Sequence, residues 1–162
     1  MRKLRAAFIG MAHIHVHNMV HDFVKYPDKL EIVGIAEYHS RSDKEYDLHK
    51  ELNIPRDIDL KIWDDYKELL AQDIDLAILT TDVADHARAA EEILAMGIHV
   101  VVEKPMALDM ESAKRMYHAA KEGKAELIIN WPIAWFPAFR KAKELSDSGV
   151  IGDVLRVHYR SP

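Results

Sequence analysis

The chain has 162 residues, 49% of them apolar and 30% charged, the balance of a globular protein able to bury one core and the start of a second. Its formal charge of −5, with no basic stripe, argues against a nucleic-acid backbone as partner. The absence of cysteine excludes disulfides, thiolate metal sites and cysteine nucleophiles, and it fits a reducing compartment.

The basic residues 1–5 lead into a short apolar run that His13, His15 and His17 soon interrupt, and no cleavage pattern follows. With no stretch long enough to span a bilayer, the expectation is a cytoplasmic protein without a membrane partner. Residues 4–9 form a first apolar strand closing on Gly10, and residues 13–24 follow as a helix with Ile14, Val16, Val20 and Val24 among its apolar positions. Residues 30–36 are a second strand, with Glu37 at its end. A polar helix over 42–52 is stopped by Pro55, and 60–63 make a short strand. Asp64 or Asp65 caps the helix carrying Tyr66, Leu69 and Leu70. Asp75 opens a fourth strand over 76–79, ending in Thr80 and Thr81. The helix over 84–96 finishes at Gly97 as its left-handed cap. Residues 98–102 are a run rich in β-branched residues, the mark of a strand buried on both faces, and Pro105 stops it just past Glu103 and Lys104. Asp109 caps a helix through Ala120 that ends at Gly123, and 127–129 are a sixth strand. This alternation predicts an α/β fold over residues 1–130: a doubly wound parallel Rossmann sheet of order 3-2-1-4-5-6, wound by right-handed crossovers.

Such sheets bind ligands outside the carboxyl ends of their strands, and the first strand–helix turn cradles a pyrophosphate. Here that turn reads Gly10-Met11-Ala12-His13-Ile14-His15, which keeps only the first glycine of Gly-x-Gly-x-x-Gly. Ala12 adds a methyl. His15 is far bulkier than glycine and is expected to push the helix from the sheet or turn outward. His13 falls in the first helical turn, where exposed N–H groups favour anions; a solvent-facing cap is the equal alternative. Glu37 can accept hydrogen bonds from a ribose 2′-hydroxyl and would repel a 2′-phosphate, while Arg41 softens that repulsion. NAD is therefore favoured, with NADP second. Lys104 brings an ammonium to the same edge.

The run Glu103-Lys104-Pro105-Met106-Ala107-Leu108, arriving at the end of a buried strand, resembles the signature of the Gfo/Idh/MocA family of NAD(P)-dependent oxidoreductases. Residues 63–70, the stretch 75–81, His86 with Ala89 and Gly97, and the segment from Pro137 to Val154 are similar to further parts of that family. The resemblance implies that Lys104 lies near the nicotinamide and substrate, handling a proton or orienting the substrate. It also implies that Thr80, Thr81, His86 and Glu103 join the cofactor-binding set, and that the substrate is a small sugar- or polyol-like molecule. Departures are Ala134 where an arginine is frequent, Asp82 where a proline is common, and the missing second glycine.

After Asn130 the sequence changes character: Trp131, Pro132, Trp135, Phe136 and Pro137 make an aromatic bend, and residues 138–145 a helix. Residues 153–160 alternate as a half-buried strand with no successor. Residues 131–162 are thus expected to be a linker helix and the first strand of an incomplete substrate domain, through which the chain could form a homo-oligomer. The family carries a whole α/β substrate domain beyond this point, so the isolated chain is expected to bind cofactor without turnover. Two rival readings stand beside this one. The first is a non-catalytic dinucleotide-binding module. The second is a metal-dependent hydrolase built on the ten histidines, of which His13, His17 and His21 would share a helix face. The preferred reading assigns no metal, because a hydrolase barrel needs eight strand–helix units. His99, inside a buried strand, is expected to be a hydrogen-bonded core histidine.

Overall fold

The computed structural model describes residues 2–12, 15–39 and 60–160. His13, Ile14, Arg41 and the helix expected over 42–52 lie outside these residues. The chain divides into two compact units, Met1–Asn130 and Trp131–Pro162.

In the first unit, β1 (Leu4–Ile9), β2 (Leu30–Ala36), β3 (Ile62–Trp63), β4 (Leu76–Leu79), β5 (His99–Glu103) and β6 (Leu127–Asn130) form one six-stranded sheet of order β3-β2-β1-β4-β5-β6. Every neighbouring pair runs parallel. The expected order is the observed one, because each pair of parallel neighbours demands a crossover and only one hand packs back onto the sheet. Between the strands run α1 (His15–Phe23), α2 (Tyr66–Leu70), α3 (Val83–Ala95) and α4 (Met110–Gly123).

The two-residue period of the strands sorts their side chains into two cores. Ala7, Ile9, Ala77, Leu79, Val100 and Val102 face α3 and α4 side chains such as Ile93, Leu94 and Met116. Ala6, Phe8, Ile35 and Ile78 face Val16 and Val20 of α1, with Phe8 meeting Phe23 edge-on at 5.5 Å between ring centroids. Phe8, Ile9, Ile78 and Leu79 are wholly buried, each such side chain stabilising the fold by about 1.5–3 kcal/mol. At the opposite, amino edge of the sheet, the Asp75 carboxylate takes the Arg5 backbone N–H at 2.8 Å and pairs with the Arg2 guanidinium. His99 sits at the same edge, half-buried, and its Nδ1 accepts the Glu126 N–H at 2.9 Å.

Gly97 ends α3 with φ of 80°, and α4 ends at Gly123 as expected, followed by Lys124 in the left-handed region at φ 52°. Gly123 answers a different demand: a Cβ there would lie 1.9 Å from the Leu94 carbonyl oxygen, so the backbones of α3 and α4 can approach only through a glycine. One expectation is corrected: residues 153–160 form no strand. Leu155 is 95% exposed and Val157 81%, and no ladder partner faces them among the described residues. An alternating pattern states which face a strand would bury once paired; it does not supply the neighbouring backbone that makes it a strand. Within this second unit, Pro132–Trp135 is a single 3-10 turn and α5 (Pro137–Asp147) starts on a proline, where no N–H is needed.

Candidate functional site

The turn after β1 is locked between its neighbours. Gly10 donates its N–H to the Ala36 carbonyl at 2.7 Å, Thr80 donates its N–H to Ile9 at 2.9 Å, and the Thr80 hydroxyl donates to the Gly10 carbonyl. Gly10 has φ of 85°, and a Cβ there would meet the Thr81 γ-methyl at 2.7 Å and the Thr81 backbone at 2.8 Å. Glycine is required twice over, by dihedral and by space. Thr80 and Thr81, both buried, are thus brought against the first glycine. Ala12 is exposed beyond it.

Glu37, at the carboxyl end of β2, accepts the Met11 N–H at 3.2 Å, which ties the acid to that same turn. Beside it opens a cavity of about 310 Å³ lined by Glu37, Tyr38, Asp64, Asp65, Tyr66 and Lys67. The Tyr38 and Tyr66 rings are 5.0 Å apart, and Arg88 lies over Tyr38 while donating to its hydroxyl at 2.9 Å. Tyr66 donates its hydroxyl to Glu92 at 2.7 Å; burial, and then that carboxylate, hold the phenol far above its usual range. Tyr38 is also raised, by burial first, against the opposing pull of Arg88. Both phenols therefore stay neutral donors at any ordinary pH. Sequence reasoning missed this aromatic and acidic wall. Asp65 is legible as the cap it is, accepting the Lys67 N–H at 2.8 Å, but its place beside Glu37 follows only from the pairing of β2 with β3.

The carboxyl end of β5 carries Glu103 and Lys104 to the same edge, because β1, β4 and β5 are parallel neighbours. Glu103 is 1% exposed. Its carboxylate receives the Lys104 backbone N–H at 3.3 Å and the Asn130 side-chain amide, and it stands 3.2 Å from His15 Nδ1 through each oxygen. Lys104 is half-buried. His15 does not turn away from the sheet, as its bulk suggests, but reaches to the end of β5. His86 on α3 is fully buried behind the edge, with Nδ1 3.0 Å from the Pro105 carbonyl and Nε2 3.2 Å from the Thr81 carbonyl. It joins the turn after β4 to the turn after β5.

The sheet is open and six-stranded, and among the described residues no three His, Asp or Glu side chains converge to hold an ion. His17 and His21 lie on α1, and His13 lies outside the described residues.

Comparison with known proteins agrees with the geometry. Residues 4–131 match the GFO_IDH_MocA family, described as an oxidoreductase family with an NAD-binding Rossmann fold. The inositol 2-dehydrogenase of Salmonella paratyphi B is 31% identical over 105 residues, 64% of this chain and 31% of that protein. The NADP-dependent D-xylose 1-dehydrogenase of Haloarcula marismortui is 36% identical over 84 residues, 52% of this chain and 23% of that one. Among solved structures, the WlbA dehydrogenase of Bordetella pertussis, in complex with NADH and UDP-GlcNAcA, superposes with a TM-score of 0.73 at 25% identity. That match covers 93% of this chain and 44% of WlbA. The chain thus spans about a third or less of the length of the curated relatives it matches.

Proposed function

Because the chain belongs to the GFO_IDH_MocA family of oxidoreductases with an NAD-binding Rossmann fold, we propose that residues 1–130 hold the dinucleotide of an enzyme acting on sugar- or polyol-like hydroxyls. The observation that carries this reading is the meeting of the Gly10 turn, Glu37 and Lys104 on one carboxyl edge, the edge where open parallel sheets take their ligands. The residues fit such a group. The Gly10 turn stands where a pyrophosphate would lie, with Ala12 exposed at its outer end, the Glu37 carboxylate sits beside it where a ribose would come, and the adjoining cavity has two aromatic rings for a base.

A bound nicotinamide would exchange a hydride with the hydroxyl-bearing carbon of the substrate. This chain supplies Lys104, half-buried at the end of β5, to orient a substrate hydroxyl or take part in moving its proton. The tether between His86 and the Pro105 carbonyl fixes the turn that presents it. Inositol and xylose dehydrogenases among the relatives support polyhydroxylated substrates for the whole enzyme. A residue 131–162 unit that leads into a substrate domain, and self-association through it, belong to the same proposal.

Glu37, Asp64 and Asp65 on one cavity wall oppose a 2′-phosphate, so NADH should bind more tightly than NADPH. Removing one charge-assisted hydrogen bond in Glu37→Ala costs NADH about 1.5–3 kcal/mol and narrows or reverses the preference. Fluorescence titration with both reduced cofactors measures this; a tenfold wild-type preference for NADPH contradicts the role of Glu37.

A further inference from the structure

We propose that His15 and Glu103 form a positioning pair that sets the phosphate-facing end of α1 against the strand carrying Lys104, replacing by a polar tether the close packing that the fingerprint's third glycine provides. The proposal rests on the dinucleotide reading above.

His15 occupies that third position and is the first described residue of α1. Its Nδ1 is 3.2 Å from both carboxylate oxygens of Glu103, whose side chain is completely shut off from solvent, while 30% of the His15 side chain remains exposed. Glu103 stands in register with Asn130 across β5 and β6, and the Asn130 amide donates to the same carboxylate. That amide nitrogen is also 3.6 Å from the sulfur of Met19, which lies one turn beyond His15 on the same face of α1. Two successive turns of α1 therefore bear on two adjacent strand ends.

A buried carboxylate is tolerated only when donors surround it. Here they come from α1, from β6 and from the backbone of Lys104. The helix end, the outer strand and the lysine-bearing turn are thereby fixed to one anion. In the ordinary fingerprint, glycine lets the helix backbone close onto the sheet. A histidine at that point holds the helix at the distance its ring spans, and Glu103 fixes where the ring ends. The pair joins the two parts of the edge that must address one ligand together, the phosphate turn and Lys104, and misplacing such parts by a fraction of an ångström is costly.

The test compares the chain with His15→Gly, His15→Ala and His15→Asn. NADH affinity is read by fluorescence, melting by circular dichroism, and the proton on the wild-type His15 ring by side-chain ¹⁵N spectroscopy. His15→Gly restores the fingerprint's third glycine, yet under this proposal it and His15→Ala weaken NADH binding about tenfold or more. His15→Asn, whose amide nitrogen stands close to where Nδ1 does, stays within about threefold of wild type, a rescue that a merely space-filling residue would not show. Nδ1 should carry a proton. If His15→Gly binds NADH as well as or better than wild type, or if Nδ1 is bare, the pairing role is overturned while the dinucleotide reading stands. Failure of the wild type itself to bind NADH overturns that reading and this proposal with it. Should the Gly and Ala variants fail to fold, the Asn variant and the ring proton still decide: an Asn variant weakened tenfold refutes the tether.

Discussion

Replacing Gly10 with alanine strikes the candidate site at its tightest point. The new Cβ meets two separate penalties. At φ of 85° an L-residue loses about 1–2 kcal/mol relative to glycine. The methyl also falls 2.7 Å from the Thr81 γ-carbon and 2.8 Å from Thr81 N and Cα, and overpacking of this kind costs about 1–3 kcal/mol. Together these come to about 2–5 kcal/mol, a melting temperature about 5–15 °C lower for a chain of this size. Because two of the three contacts are to backbone, adding Thr81→Ser, which removes only the γ-methyl, should recover less than half of the loss. The turn can escape the clash only by shifting, which breaks the hydrogen bond from Met11 to Glu37, so whatever folds should bind NADH more weakly. Thermal melts with and without NADH follow both effects. A Gly10→Ala variant that melts within about 1 °C of wild type and binds NADH unchanged would refute the reasoning.

Gly123→Ala should destabilise the fold by about 2–4 kcal/mol in urea unfolding, although alanine is the better helix former, because its Cβ would collide with the Leu94 carbonyl at 1.9 Å; a stabilised variant would show that the two helices do not meet there. Acid should weaken the fold through Asp75. Burial pushes its carboxyl up, but the Arg5 N–H and the Arg2 guanidinium outweigh that and hold it below the ordinary carboxylate value. A lowered folded-state value means stability fully present above the unfolded-state pKa and lost as pH falls through the folded one. Asp75→Asn should therefore cost about 1 kcal/mol at pH 7 and progressively less as pH falls below about 4, read from urea midpoints; a loss that does not shrink with acid would show that the charge is not involved. Asp109, also lowered, chiefly by the Ser112 N–H, adds to the same acid slope.

Much of this edge is legible in the sequence because local chemistry and topology agree there. Gly10 closes an apolar strand, Lys104 ends a β-branched one, and parallel pairing can only bring both to the carboxyl edge. What escapes a linear reading is pairing between distant residues. Glu103 reads only as an acid beside the lysine at the end of a strand, and its burial becomes intelligible with the approach of His15 and Asn130, 88 and 27 residues away. Asp64 and Asp65 read as helix caps until β3 sets them beside Glu37. Gly123 reads as a terminator because glycine commonly ends helices; the need for it is written in Leu94 on another helix. The alternation over 153–160 marks a face without naming a neighbour, so the pattern is present and the strand is not.

The central claim is that the carboxyl edge of this sheet holds a nicotinamide dinucleotide. Titrating ¹⁵N-labelled protein with NADH and mapping the amide shifts tests it most directly. Gly10, Met11, Glu37, Thr81 and Lys104 should move together in a saturable way, while Arg5, Asp75 and His99 at the amino edge stay still. Shifts confined to the amino edge, or none at millimolar NADH, would contradict the account.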